Sequence, residues 1–511
     1  MKPAESLADE EFDLVVIGGG ITGAGVARDA AMRGMDVALL EKDDFGHGTS
    51  SKSTKLVHGG LRYLENYDFG LVREALRERK ILLEIASHLV YTSKFFFPVY
   101  EQSRVFPLQL RAGLFFYDLL AGSKGIGSHE FIGPEETREE FPGLKKEGLK
   151  TTGVYYDCQM DDARLVLSNI LDARARGASA VNYAKVTAVS QVESGQEWEL
   201  DVRDELNEEE FQIRTDRIVN ATGPWSDDLA ENWRESDDRF LRPTKGAHIT
   251  LPALDTEVAG FFPSIHDDRL FFVIPWENRT LIGTTDTDYS GSPDELSVEK
   301  SDRNYLLSNV NHYLEGVEFT EADVSSEFAG LRPLYSTSRG EVGESEVSRD
   351  HEILVEKDSI YTIIGGKYTT YRAMAEETLD LMGAEKKRST AEVDLPGAWS
   401  DGDREYLKSE ILSNYSLSEA QVEELLKRYG SRTDSVLERA SEFPDYDEPV
   451  GEADTPIKAQ VYQAVMNEFA RKPEDVVRRR TNLFTRKESN EEAVYETMKN
   501  MDSEDIEVER G

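Results

Sequence analysis

Behind Asp13 an unbroken apolar run, Leu14-Val-Val-Ile17, breaks into Gly18-Gly-Gly-Ile-Thr-Gly23, and a second apolar run, Val37-Ala-Leu-Leu40, closes on Glu41. Short continuous apolar runs bounded by glycine read as strands buried on both faces. The pattern therefore predicts a strand over 13–17, a helix over 24–33 stopped by Gly34, and a second strand over 37–41. Strand-like and helix-like stretches alternate, with many glycine turns, to about residue 385, an α/β or α+β pattern. A turn-rich break follows at Leu395-Pro-Gly-Ala-Trp-Ser400. Beyond it, 404–412, 419–429, 456–469 and 491–501 carry helical periodicity and few strand signals. Ser416-Leu-Ser-Glu-Ala-Gln421 offers a helix start, with Ser at the cap and an acid in the first turn. Two domains are expected, 1–385 and an all-helical 386–511.

The first turn has the chemistry of a dinucleotide fingerprint. Gly18 makes the tight turn, Gly20 admits a pyrophosphate to the backbone, and Gly23 lets helix and strand pack closely. Unpaired N–H groups at the helix start favour the phosphates, and Glu41 stands where an acid takes ribose hydroxyls. A lone glycine pattern of this kind often marks only a βα turn; here strand, helix, second strand and acid are all in place. Two further segments join it. Asp216-Arg-Ile-Val-Asn delivers Ala221-Thr-Gly223, and Tyr361-Thr-Ile-Ile delivers Gly365-Gly-Lys367 ahead of a predicted helix over 369–382. Each alone reads equally as a βα turn. One fingerprint plus these two segments, in this order, favours FAD as the sole cofactor over a nicotinamide.

The charge narrows the partners. With 99 acidic and 59 basic residues the net charge is -40, so little is available to neutralise nucleic-acid phosphates. Self-repulsion on this scale is long-range in dilute buffer but screened at molar salt, where the Debye length is about 3 Å. Acidic residues spread through what read as loops and helices, as in 201–210 and 491–509, a bias that resembles proteins of salt-loving archaea. An ordinary acidic cytosolic protein is the plainer alternative. One cysteine, Cys158, leaves no intrachain disulfide and no Cys-ligated cluster. The eight histidines lack metal-ligand spacing, so no metal is expected. The start is polar, without a secretory signal, and no apolar run approaches membrane-spanning length. A cytoplasmic protein, or one peripheral on the inner face of the cell membrane, is expected. The stretch 106–117 is the candidate docking segment, with core packing as its plainer reading.

Gly46-His-Gly-Thr-Ser-Ser51, Lys55-Leu-Val-His-Gly-Gly-Leu-Arg-Tyr-Leu-Glu65, Tyr155-Tyr-Asp-Cys-Gln-Met160, Lys245-Gly-Ala-His248, Ile282-Gly-Thr-Thr-Asp286, Ala329-Gly-Leu-Arg-Pro-Leu334 and Gly365-Gly-Lys-Tyr-Thr-Thr-Tyr-Arg372 follow in order. Together they resemble the FAD-dependent glycerol-3-phosphate dehydrogenases, within the D-amino-acid-oxidase-like flavoproteins. The resemblance covers about 13–375, and the tail, with Val476-Val-Arg-Arg-Arg-Thr-Asn482, resembles that family's C-terminal domain. Cys158 stands where the family pattern leads us to expect glycine, and the Cys-rich iron–sulfur extension of three-subunit relatives is absent from this sequence.

The resemblance implies a Rossmann-like FAD-binding domain with an interleaved antiparallel-sheet substrate domain, then a helical domain. It implies oxidation of sn-glycerol 3-phosphate to dihydroxyacetone phosphate by hydride transfer to FAD, with electrons passed to a quinone or to partner subunits. A homo-oligomer or a subunit of a complex is expected. Arg62 and Arg332 become the clamps for phosphate or hydroxyl, since guanidinium is a bidentate, permanently charged donor. His58 and His248 are the candidate bases. His58 is favoured because Gly59 and Gly60 give close access beside Arg62. Lys367 binds substrate or stabilises charge at the flavin, and Tyr63 and Thr284 line the pocket. Thr49, Ser50, Ser51, Ala221, Thr222, Gly223, Gly365, Gly366, Tyr368 and Thr369 join Gly18, Gly20, Gly23 and Glu41 as cofactor contacts. Alternatives are an amine, amino-acid or glycerol-phosphate oxidase of the same fold that uses oxygen, and a non-catalytic FAD-binding subunit of a redox complex.

Overall fold

The computed structural model describes residues 4–502 except 65–67, 104, 123–124, 194, 196, 235–238, 336–350, 385–388, 401, 452–453 and 487–490, with the backbone alone for 4, 5, 62 and 502. Strand β1 (Leu14–Ile17) is buried throughout and alternates between two cores. Leu14 and Val16 face a core shared with helix α1 (Ile21–Arg33) and with helices Asp162–Ala175 and Tyr371–Leu381. Val15 and Ile17 face the opposite core with Trp198, Leu200 and Val202. Strand β2 (Val37–Leu40) repeats the alternation. An unbroken apolar run is what a strand covered on both sides requires.

Six strands form this sheet in the order His351–Glu356, Ile360–Gly365, Ile218–Asn220, β1, β2, Ser179–Val181. Its pairings are parallel except at the antiparallel edge strand His351–Glu356. The three glycine-bearing segments read from the sequence thus follow neighbouring strands of one parallel sheet, at their carboxyl ends, where open α/β sheets bind ligands. α1 begins three residues before the predicted start. Gly20, extended at φ -76° and ψ -176°, forms the N-cap, and Ser50 Oγ accepts the Ile21 N–H at 2.9 Å. Gly34 closes the helix in the left-handed region, as its type allows.

A second, larger and mainly antiparallel sheet is built on Val90–Tyr100, Leu149–Met160, Leu241–Pro252, Leu270–Trp276, Arg279–Gly283 and Ser326–Tyr335. One face packs with helix Phe69–Ile85 and helix α2 (Pro107–Ala121), the other with helix Lys300–Tyr313. α2 divides its apolar residues. Leu110, Leu114 and Tyr117 face the core, whereas Phe106, Leu108, Phe115, Phe116 and Leu119 are exposed, Leu108 by 78%. The stretch 106–117 thus has one apolar face packed in the core and another exposed. The acidic stretch 201–210 is a loop only over 205–209: it forms the tip and adjoining strand ends of a β-hairpin, Trp198–Asp204 with Glu210–Thr215, whose burial alternates residue by residue along both strands.

After Tyr371–Leu381 the described chain has helices and no named strand. Glu419–Tyr429 matches the predicted span. Its N-cap is Ser418, whose hydroxyl accepts from Gln421 N–H while the Gln421 side chain accepts from Ser418 N–H, a capping box. Helix Thr433–Ala440 and the turns at Pro473–Arg480 went unread in the sequence. This region seats on the FAD-type sheet through buried charges. Arg480 pairs with Asp44 at 2.7 Å, both fully buried, Arg479 joins the same carboxylate, and Arg164 pairs with Glu468. Burial alone would raise the Asp44 carboxyl; Arg480 and Arg479 hold it well below the usual carboxylate range.

Candidate active site and cofactor cavity

A cavity of about 680 Å³ opens at the carboxyl ends of the parallel strands. Its lining takes Gly18, Gly20 and Glu41 from the first βαβ unit, Thr49 and Ser50 from the next turn, and Ala221-Thr-Gly223 and Gly365 to Thr369 from the two later segments. The backbone there is a cradle that side chains would fill. A Cβ on Gly18, at φ +105°, would stand 2.6 Å from the Ala221 carbonyl oxygen. Gly23 lies behind the lining: its Cβ would stand 1.9 Å from the Gly18 carbonyl oxygen, so it serves helix–strand contact. Gly365 and Gly366 both take positive φ, +74° and +83°, turning the chain into Tyr371–Leu381. Ser51 does not line the cavity; its carbonyl accepts from Lys55 Nζ at 2.7 Å.

Glu41 accepts from the Gly19 N–H at 2.6 Å and the Asp43 N–H at 2.9 Å. Burial lifts its carboxyl to about 7 in spite of those bonds. The acid thus stands against the glycine turn and lines the cavity.

A smaller cavity of about 160 Å³ adjoins the first, and Thr54, Leu56, His58, Tyr63 and Arg332 line both. Thr284, Asp286, Asp157, Tyr155 and Arg269 line the small one. The Arg332 guanidinium is 3.0 Å from Asp286 Oδ1, 3.2 Å from Thr284 Oγ1 and 3.3 Å from the Thr285 carbonyl oxygen. Gly246 makes room for it, since a Cβ there would come within 2.6 Å of Arg332 Nη2 and of Thr284 Oγ1. Lys367 Nζ sits 3.6 Å above the centre of the Tyr63 ring. Arg62 lies on the turn Leu61–Leu64, and its side chain is outside the described residues.

The two histidines differ. His58 is partly exposed and faces both cavities. Thr369 Oγ1 brackets its backbone, accepting from His58 N–H at 3.3 Å and lying 3.4 Å from its carbonyl oxygen. His248 is buried, stacked on Phe328 at 4.9 Å, with Nε2 2.9 Å from Thr54 Oγ1 and no hydrogen-bond partner for Nδ1 among the described residues. Burial first, then Arg332 and Lys55, push its pKa well below the usual histidine value, so it stays neutral. A neutral, deeply seated ring is a hydrogen-bond partner; the partly exposed one is the better proton acceptor.

Asp157, Asp286, Arg269 and Lys52 went unassigned in the sequence. Asp157 and Asp286 stand inside quoted motifs, and carboxylates beside the candidate cations were the signal available. Lys52 lines the large cavity, and burial with Arg479 and Arg478 nearby lowers its pKa to about 8. Among the described residues no cluster suited to a metal occurs.

Comparison with known proteins places this geometry. Residues 13–376 match the family model described as FAD dependent oxidoreductase, and 388–505 match the C-terminal domain of alpha-glycerophosphate oxidase. The chain is 35% identical over 504 residues to glycerol-3-phosphate dehydrogenase of Synechocystis sp., covering 94% of this chain and 91% of that one. It is 34% identical over 496 residues to aerobic glycerol-3-phosphate dehydrogenase of Staphylococcus aureus, covering 93% and 88%. The solved glycerol-3-phosphate dehydrogenase from Bacillus halodurans complexed with FAD superposes with a TM-score of 0.79 at 32% identity, covering 98% of this chain and 93% of that one. The FAD-bound L-alpha-glycerophosphate oxidase of Mycoplasma pneumoniae, at 18% identity and TM-score 0.58, covers 76% of this chain and 100% of its own, and shares the fold.

Proposed function

The chain belongs to the FAD-dependent glycerol-3-phosphate dehydrogenase family of FAD-dependent oxidoreductases, and from that premise we propose that it oxidises sn-glycerol 3-phosphate to dihydroxyacetone phosphate in glycerol catabolism. One observation carries the reading: a cofactor-sized cavity and a small polar one share a wall made of His58, Tyr63 and Arg332. FAD bound in the large cavity supplies the hydride acceptor. Arg332 holds the phosphate, the role that the family resemblance implies for Arg62 as well, and Thr284 orients the Arg332 guanidinium. His58 takes the hydroxyl proton as the C2–H bond breaks. His248, kept neutral, donates or accepts a hydrogen bond at the shared wall, and Lys367 adds positive charge beside Tyr63. The 1–385 part carries this chemistry, and 386–511 braces it.

The test is spectroscopic. Anaerobic sn-glycerol 3-phosphate should bleach the flavin absorbance of the purified protein with one dihydroxyacetone phosphate formed per flavin, and sarcosine should not. A spectrum unchanged by the phosphorylated substrate overturns the reading.

The electrons pass to a membrane quinone or to partner subunits. Among the described residues no helix is long and apolar enough to cross a membrane. The exposed row Phe106, Leu108, Phe115, Phe116 and Leu119 on α2 suits shallow insertion at a lipid surface. Oxygen as the efficient acceptor, with all activity off the membrane, would make the protein an oxidase instead.

A further inference from the structure

Asp157 lies on the strand Leu149–Met160, 3% exposed, at the wall of the small cavity. No step assigned above uses it. Three donors from three elements converge on its carboxylate: Arg79 Nη1 at 2.6 Å, the Tyr117 hydroxyl at 2.7 Å and the Gly59 backbone N–H at 3.2 Å. Arg79, on helix Phe69–Ile85, also donates to the Tyr156 carbonyl at 3.1 Å, so it holds the strand as well as the carboxylate. Tyr117 comes from α2 and is 2% exposed. Burial and then the Asp157 charge raise its phenol well above the usual tyrosine range, so it remains a donor.

The third donor belongs to the residue after His58. Gly59 has no space for a side chain, since a Cβ would stand 2.4 Å from Tyr117 Oη and 2.5 Å from Leu76 Cδ2. Gly60 turns at φ +79° against the Tyr63 ring. His58 is thus tied on one side to Thr369, in the cofactor segment, and on the other, through Gly59, to Asp157. A buried carboxylate costs several kcal/mol to desolvate and is retained where its partners satisfy it. Here those partners are the two helices that flank the His58 turn.

We propose that Asp157 is a positioning residue, which fixes the His58 turn through the Gly59 N–H so that the imidazole meets the substrate hydroxyl. Arg79 and Tyr117 in turn fix the carboxylate. The proposal rests on the reading of His58 as the base. Its effect belongs to the chemical step: the phosphate grip sits on other segments, at Arg332 and Thr284, and a misplacement of about 1 Å at a reacting group can cost on the order of 10²-fold in rate.

The test uses the FAD-loaded protein and stopped-flow bleaching of the flavin by sn-glycerol 3-phosphate. Asp157→Asn keeps the volume but removes the charge that Arg79 pairs with, and replaces the oxygen that accepts from Tyr117 by an NH2 donor. It should slow bleaching by about 10- to 100-fold, with KM and FAD affinity little changed. Tyr117→Phe, which leaves the charge in place and guards against a misfolded Asp157→Asn, should slow it less but in the same way. His58→Asn should be slow by itself, and adding either substitution to it should cost nothing more, because groups that act through one another are not additive. Wild-type bleaching in Tyr117→Phe overturns the proposal, as does full additivity with His58→Asn. A His58→Asn protein that bleaches at the wild-type rate instead removes the base assignment itself, and the two failures are thereby told apart.

Discussion

Arg332 Nη1 lies 3.0 Å from Asp286 Oδ1, so the cation shared by both cavities is oriented by a carboxylate from the connection between two strands of its sheet. Arg332→Ala should lower kcat/KM for sn-glycerol 3-phosphate by roughly 3–5 kcal/mol, the scale of removing one partner from a buried charge contact. Asp286→Ala should lower it by less, through loss of orientation, and should add nothing to Arg332→Ala. Steady-state kinetics of the four proteins checks this; an Arg332→Ala enzyme of unchanged efficiency removes the clamp.

Glu41 gives a pH dependence. Its carboxyl is raised from 4.5 to about 7, so the folded apoprotein holds a proton there that the unfolded chain has released. The stability it supplies is complete below 4.5 and lost as pH rises through 7. FAD reverses the preference, because ribose hydroxyls donate to the ionised form. Affinity of the apoprotein for FAD, followed by flavin fluorescence, should tighten between pH 6 and 8, and Glu41→Gln should bind more weakly with a flat profile. An unchanged slope in Glu41→Gln places the titration elsewhere.

The exposed row on α2 predicts lipid binding. Leu108→Glu with Phe115→Glu changes two residues that touch no assigned site and are 78% and 56% exposed. The double variant should no longer sediment with anionic vesicles in molar salt, while its flavin is bleached by substrate as in the wild type. Equal sedimentation of both proteins moves the docking surface off α2.

Salt should stabilise the protein. At a net charge of -40, repulsion is long-range in dilute buffer and confined to contact range at molar salt. The thermal midpoint should climb steadily from dilute to molar potassium chloride, and a flat profile identifies an ordinary acidic enzyme.

The cofactor half of the site was legible because glycine announces backbone. Gly18, Gly23 and the pair Gly365-Gly366 each stand where a Cβ would collide or φ is positive, and Gly20 where a Cβ would crowd the Ser50 hydroxyl; such demands show in sequence. The apolar period told β1 and Glu419–Tyr429 apart as strand and helix for the same reason. The substrate half was less legible. Arg332 and His58 drew notice through the family-like motifs that hold them, but Asp157 and Asp286 act through partners brought from distant segments, and an acid among 99 carries no mark of its partner. Ser51 had the right residue type, yet its carbonyl turns to Lys55. The stretch 106–117 drew notice, but its outward row could not be told from its inward one, because a helix apolar on two faces loses the period that would separate them.

Asp44 meets Arg480 across 436 positions of chain, and that separation sets an order of events during synthesis. Every segment that lines the large cavity has been made once Thr369 has emerged, yet the carboxylate three residues past Glu41 then still lacks both of its arginines. A nascent chain at that point must keep Asp44 hydrated or protonated, and the turn that follows Glu41 lacks its brace. Cofactor loading is therefore expected to follow release of the complete chain. Ribosome-bound chains stalled before residue 479 should hold no FAD, a point that flavin content of isolated stalled complexes decides.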